Sequence, residues 1–426
     1  MGKRLCLLLT GLLLFFIFAA QAEEQPGGAL AIYGFEEEAA VQAFQLENPQ
    51  MQLMSCDSPD QGDVLIASAL WELNEWIDQG LLADLSGHEG VRTFVESCTP
   101  QVRAQVTREG KIYALPLSLD GWCLAYDPQV LSAMGIKAEE LPRTWEELFA
   151  FLTRWNRQWP QADYVPLHPY GIRSSLLYSL TSAYEDRYLA SGETLTFDTP
   201  LFARLVKGLM DMDLSNLQVD DPAAAQGEDL LHKQPLFVEY SFCDLMTQPH
   251  LVPWPLSLEG SEDSPVGAHL RCAAIAKEAS PAAYELLAAY LNAMEPGQQA
   301  LLRPSSTEPA PDPLWEEKRA EKQQRLADLK QQQEDFDLDL SHEIAEYEYW
   351  LAQAEDHRYI VSPQRLADYQ RDLIPRLMLR TARSPLDASR DDVTGFFRLQ
   401  QRFLEGELSP SQFIRNMEHK LREAMK

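Results

Sequence analysis

Eight residues in this 426-residue chain pair a flat or acceptor-bearing side chain with a place at an element end or a segment junction. They are Ser68, Trp71, Asp120, Trp122, Tyr170, Glu239, Tyr240 and Trp254. Aromatic rings stack on the apolar faces of a small polyhydroxylated molecule, and fixed carboxylates accept its hydroxyl donors. A ligand without those donors leaves the acceptors unpaired, which is a source of discrimination. Each residue also has a structural reading. Trp71 can be the first core residue of its helix, Asp120 a turn residue before Gly121, Trp122 a packing residue at a hinge, and Trp254 a wedge fixed by Pro253 and Pro255. Trp145, Trp155 and Trp159 read as helix packing. Signatures of catalysis are missing: there is no His-Glu-x-x-His, Gly-x-Ser-x-Gly, phosphate-binding loop or dinucleotide fingerprint. A pair of acid/base carboxylates of the glycosidase kind could still stand among 65 acidic residues. No cofactor or metal site is expected.

The elements that position these residues alternate. Ala29 to Gly34 reads as a strand, Glu36 to Leu46 as an amphipathic helix stopped by Asn48-Pro49, and Met51 to Ser55 as a second strand. Asp63 to Ala67 is a short apolar run of the kind that forms a buried parallel strand. Helical spacing resumes from Ala69 to Leu82, with Leu70, Leu73, Ile77 and Leu81 on one face. This order implies an α/β fold with a largely parallel sheet, in which ligands bind beyond the carboxyl ends of the strands. Ser68 and Trp71 directly follow such an end.

Lys3 and Arg4, the uncharged stretch Leu5 to Ala20 and the small residues around Ala22 have the order of a secretory signal, residues 1–22. Sixteen residues fall short of the roughly 20 of a spanning helix, although a retained anchor is the alternative. Cys6 precedes the apolar stretch and cannot be a lipoprotein cysteine. Loss of Lys3 and Arg4 moves the formal charge from −29 to −31, a surface that disfavours nucleic acid and anionic membranes. The remaining cysteines, Cys56, Cys98, Cys123, Cys243 and Cys272, are odd in number and scattered, so their spacing argues for no particular disulfide. About 400 residues exceed one ordinary core and suit two lobes.

The most informative stretch is Gly110-Lys111-Ile112-Tyr113-Ala114-Leu115-Pro116, followed by Asp120-Gly121-Trp122 and Tyr126-Asp127. Then comes Pro142-Arg143-Thr144-Trp145-Glu146-Glu147-Leu148, in which Thr144 and Glu147 form a capping box. Gln79 to Leu85, Pro253-Trp254-Pro255, Ala273 to Lys277 and Ser280 to Tyr284 continue the pattern. In order and spacing these segments resemble the extracellular solute-binding proteins of ABC importers, the family that contains the maltose-binding protein. Asp127 stands where that family usually has Asn. The resemblance implies a two-lobed periplasmic-binding-protein-like fold and an exported, non-catalytic monomer, extracellular, periplasmic or at the cell surface. Its partners would be a small solute, a sugar foremost, and ABC permease subunits. Lobe one would comprise residues 29–117 and 272–310, and lobe two 121–267 and 360–426. Asp120 falls at the family's acidic position on the lobe crossing, and Tyr170 in its Pro-Tyr contact segment. A peptide or other solute, a surface sensor or interaction module, and a secreted carbohydrate enzyme are the competing readings.

Residues 311–359 depart from the family's short connection. Leu326, Leu329, Phe336, Leu340, Ile344, Tyr347 and Leu351 recur at helical steps. The segment reads as a long helical insertion near the C-terminus, either one helix or a hairpin broken between Asp335 and Ser341. Asp335 to Glu346 superficially resembles a calcium loop, but Leu340 occupies the position where that loop needs Gly.

Overall fold

The computed structural model describes residues 28–34, 38–159, 163–215, 217, 233–242, 250–260, 264–336, 340–352, 354–382 and 393–424. The expected signal (1–22), Cys243 and the centre of the calcium-like loop (337–339) lie outside them. Among the described residues no helix is long and apolar enough to cross a membrane.

The chain opens with β1 (Ala29–Tyr33), α1 (Glu38–Glu47), β2 (Gln52–Cys56), β3 (Val64–Ala67) and α2 (Leu70–Asp78), matching the sequence reading to within a few residues at the strands. Strand β1 pairs in parallel with both β2 and β3. All four residues of β3 are buried, as an apolar run covered on both faces requires.

Next comes β4 (Leu115–Tyr126), a twelve-residue strand that serves two neighbours. Its first half pairs antiparallel with β7 (Val266–Ile275), and its second half with β5 (Phe237–Ser241) and β6 (Val252–Pro253). Strand β7 also runs antiparallel to β3, so β4 and β7 lie side by side through the middle of one eight-stranded sheet.

Two apolar cores flank this pair of strands. The first gathers Leu30, Ile32, Phe44, Leu73 and Leu119 with Leu270 and Leu286. The second gathers Leu124 with side chains of α3 (Trp145–Gln158), α4 (Ile172–Ser191), α5 (Pro200–Met210) and the closing helices α9 (Val393–Leu404) and α10 (Pro410–Ala424). Thr144 starts α3 as expected: its Oγ1 accepts from the Glu147 N–H at 3.1 Å, and Glu147 Oε2 accepts from the Thr144 N–H at 3.3 Å.

The sequence reading began the last segment of the second lobe at residue 360. In the fold, Val361, Leu366, Tyr369, Leu373, Leu377 and Leu379 pack in the first core. The cause is strand addition, because β8 (Leu377–Leu379) pairs in parallel with Val266–Ala268 of β7.

The insertion is a hairpin: α7 (Trp315–Phe336) packs on α8 (Ser341–Ala352), tied by an ion pair between Lys330 and Glu348 at 2.5 Å. Its base closes where Ala310 pairs with Val361, and Trp315 Nε1 donates to the Ala354 carbonyl at 2.8 Å. The Tyr349 hydroxyl donates to Asp127, whose other oxygen accepts from the Gln129 N–H at 2.7 Å at a helix start. Asp127, the departure from the family pattern, thus caps one helix and anchors the hairpin.

Candidate functional site

The site is built on the alternation of β4. Successive side chains of a strand point to opposite faces, and residues directly opposite across an antiparallel pair share a face. Ser118, Asp120 and Trp122 therefore lie on one face. Arg271 stands opposite Ser118, His269 opposite Asp120, and Glu239 opposite Leu124. Three strands place six chemically active side chains on one surface, and all six line a cavity of about 900 Å³. Residues of α4, which packs directly against these strands, also line it, among them Tyr178, Ser179, Ser182 and Asp186.

Trp122 is the most exposed aromatic of this surface, at 60%, and Tyr178 follows at 46%. The Tyr178 ring lies nearly parallel to that of Phe397 on α9, with centroids 6.4 Å apart. Glu239 accepts from Ser175 Oγ and from Ser179 Oγ, the latter at 3.2 Å. These serines sit four residues apart on α4 and so share a helix face.

At the cavity floor Asp186 of α4 forms an ion pair with Arg380 at 2.7 Å. Arg380 also donates to Ser182 Oγ at 2.6 Å, and its backbone N–H to the Ala268 carbonyl at 3.0 Å. Two glycines make room for this junction. A Cβ on Gly267 would lie 2.3 Å from Asp186 Oδ1, and one on Gly121 would lie 2.7 Å from the Gly267 carbonyl. Both distances are below any real Cβ contact, so neither position tolerates a side chain without movement. Cys123, also in the lining, carries a thiol that burial pushes up to about 12, so it contributes a neutral surface.

Of the eight residues proposed from sequence, four line the cavity: Ser68, Asp120, Trp122 and Glu239. Trp71 is half-buried on α2 outside the lining, and Tyr170, 54% exposed, is also outside it. Tyr240 is 1% exposed in the first core, because it is one residue out of phase with Glu239 along β5. Trp254 is a packing residue: its Nε1 donates to the Pro142 carbonyl at 2.6 Å, and its ring meets Tyr126 edge-on at 5.3 Å.

Sequence reasoning missed His269, Arg271, Tyr178, Asp186 and Arg380. A signal existed for the first two, since His269 and Arg271 alternate with Ala268 and Leu270 in an otherwise apolar strand. For the α4 residues no local signal marks the cleft side. Chemically, the surface offers hydrogen-bond acceptors, guanidinium donors and aromatic faces. Among the described residues no group of three or more His, Cys, Asp or Glu side chains could hold a metal ion.

A family model, bacterial extracellular solute-binding protein, matches residues 45–233. Three solved structures are similar over 93% of this chain. The acarbose receptor GacH of Streptomyces glaucescens is 15% identical with a TM-score of 0.50, over 98% of its own length. Lmo0181 of Listeria monocytogenes, an ABC substrate-binding protein in complex with cycloalternan, is 14% identical with a TM-score of 0.51, over 99% of its length. Maltose-bound MalE3 of T. maritima is 15% identical with a TM-score of 0.51, also over 99%. No curated protein sequence matches. The family model thus agrees with the resemblance over residues 45–233, and these structures show the fold.

Proposed function

We propose that this relative of the bacterial extracellular solute-binding proteins is exported, captures a small carbohydrate between two lobes without transforming it, and delivers it to an ABC permease. The observation that carries the reading is the shared face of Trp122, Asp120 and Glu239, which with Tyr178 lines a cavity of about 900 Å³. An exposed ring beside fixed carboxylates suits the apolar face and hydroxyl edge of a sugar, and the volume falls in the range of small-ligand sites. The similar structures named above hold acarbose, cycloalternan and maltose, which supports a glycan. The chain passes between lobes near Leu117 to Gly121 and returns near Gly267 to Cys272, where two adjacent strands form the hinge. Segment 361–379 belongs with lobe one, and the protein acts as a monomer. Ser68 belongs to the ligand surface with Asp120, Trp122 and Glu239.

Ligand that binds only the folded state raises its stability by mass action, by about 2.7 kcal/mol at a hundredfold excess over Kd. A panel of mono- and oligosaccharides is therefore expected to raise the Tm for at least one related group. A panel in which peptides or polyamines raise it and no sugar does would remove the carbohydrate assignment and leave the fold untouched.

A further inference from the structure

Glu239 is held in an unusual way for an exposed carboxylate. Both of its serine partners donate to Oε1, from consecutive turns of α4, and neither engages Oε2. Its partners are neutral, so its charge is fixed in place without being offset. It stands diagonal to Trp122 on the adjacent strand, within about 7–8 Å, the reach of a long side chain.

The cavity as a whole is acidic. Among the described residues, Asp120, Asp186, Glu239 and Glu295 line it with two guanidiniums, Arg271 and Arg380; four against two leaves a formal charge of −2 with His269 neutral. Asp186 is matched by Arg380. Asp120 lies one row from Arg271 on the paired strands, so the local field there is mixed. Glu295 lines the cavity just before the short helix α6 (Pro296–Leu302). Of the two carboxylates beside the exposed ring, Asp120 shares its field with Arg271 while Glu239 has only neutral partners, and low-dielectric walls focus such a field into the cleft.

Resting on the carbohydrate reading, we propose that the cavity takes uncharged glycans and excludes those bearing a carboxylate, and that Glu239 sets this choice. A uronate placed on Trp122 brings its carboxylate toward a second one that cannot swing away, because two hydroxyls hold it. A neutral sugar meets the same group as a hydrogen-bond acceptor. One side chain therefore serves affinity for one class and exclusion of the other.

The test uses the full exported protein and sugars of one to four units, offered in pairs that differ only in oxidation at C6, such as the galactose and galacturonate series. The neutral member is expected to bind at least tenfold more tightly than its uronate in calorimetric titration. Glu239→Gln, which keeps the shape and an acceptor for the serines, is expected to narrow that ratio to within about threefold. Ser175→Ala with Ser179→Ala retains the charge but frees the carboxylate to turn away, so the ratio should narrow in part while neutral binding weakens. Uronates that bind as tightly as their neutral partners, or a ratio unchanged in Glu239→Gln, overturn the inference while the carbohydrate reading stands. If neither member of any pair binds, the carbohydrate reading itself fails and the inference with it.

Discussion

Asp186 and Arg380 meet at 2.7 Å, with only 7% and 10% of their side chains exposed, and they come from elements of different apolar cores. Asp186 belongs to α4, whose apolar residues build the second core. Arg380 follows β8, whose leucines build the first. The pair therefore ties the two cores together beneath the cavity.

Breaking a buried pair by removing one partner leaves an uncompensated charge, which costs about 3–5 kcal/mol. Arg380→Met and Asp186→Asn are each expected to approach that loss in urea unfolding. Replacing both with apolar residues of similar size should cost far less than the sum, because no buried charge remains. A double variant whose loss equals the sum of the single losses would show that the two side chains do not interact.

A pH dependence follows from Cys98, 5% exposed on the first core, where its thiol donates to the Phe94 carbonyl at 3.4 Å. Burial pushes that thiol from its ordinary 9.0 up to about 12, against a small opposing pull from Arg303 and Arg103. Between these values the unfolded chain has lost the proton and the folded one retains it. Stability is then full below pH 9 and falls as pH rises toward 12, by about 1.4 kcal/mol per unit for this group. Cys272 and Tyr369, also raised by burial, act in the same direction. Unfolding free energies at pH 8, 9, 10 and 11 should decline less steeply in Cys98→Ala than in the parent. Parallel declines would mean that this thiol ionises in the folded protein.

The parts of the fold legible in the sequence are those where period and composition agree. The run Val64 to Ala67 is buried on both faces, and the Thr144–Glu147 box starts a helix, because local chemistry alone decides both. The cleft was legible only where a strand presents it. Asp120 and Trp122 followed from the order of motifs at the expected crossing and Glu239 from its place in Phe237 to Tyr240, but the phase of β5 relative to β4 is a pairing register that a single sequence does not print. For that reason Glu239 faces the cavity and Tyr240 the core. The α4 contribution was not legible at all. Ser175, Ser179 and Asp186 look like ordinary polar residues of a helix until its rotation against the sheet is known. Residues 361–379 misled for a related reason, since a three-residue strand joins the first core by tertiary pairing that no local pattern announces.

The two tryptophans that the sequence treated alike are separated by their surroundings, and this offers the most direct test of the site. Trp122 is 60% exposed on the cavity wall, so its removal leaves little void in the free protein. Trp254 is packed on Tyr126, carries the Arg143 guanidinium over its ring at 5.4 Å, and satisfies the Pro142 carbonyl. Trp122→Ala is expected to change folding stability by less than about 1 kcal/mol, as surface positions do. It should weaken binding of the best neutral glycan by roughly 1–3 kcal/mol, the range for ring stacking taken from nucleic-acid bases. Trp254→Ala should do the reverse. It opens a cavity and orphans a carbonyl, costing about 3 kcal/mol of stability, and leaves affinity per folded molecule unchanged. Paired titration and unfolding measurements on the same two variants read both quantities. Stability lost in Trp122→Ala at constant affinity would remove that ring from the binding surface, and with it the main support for a stacked sugar.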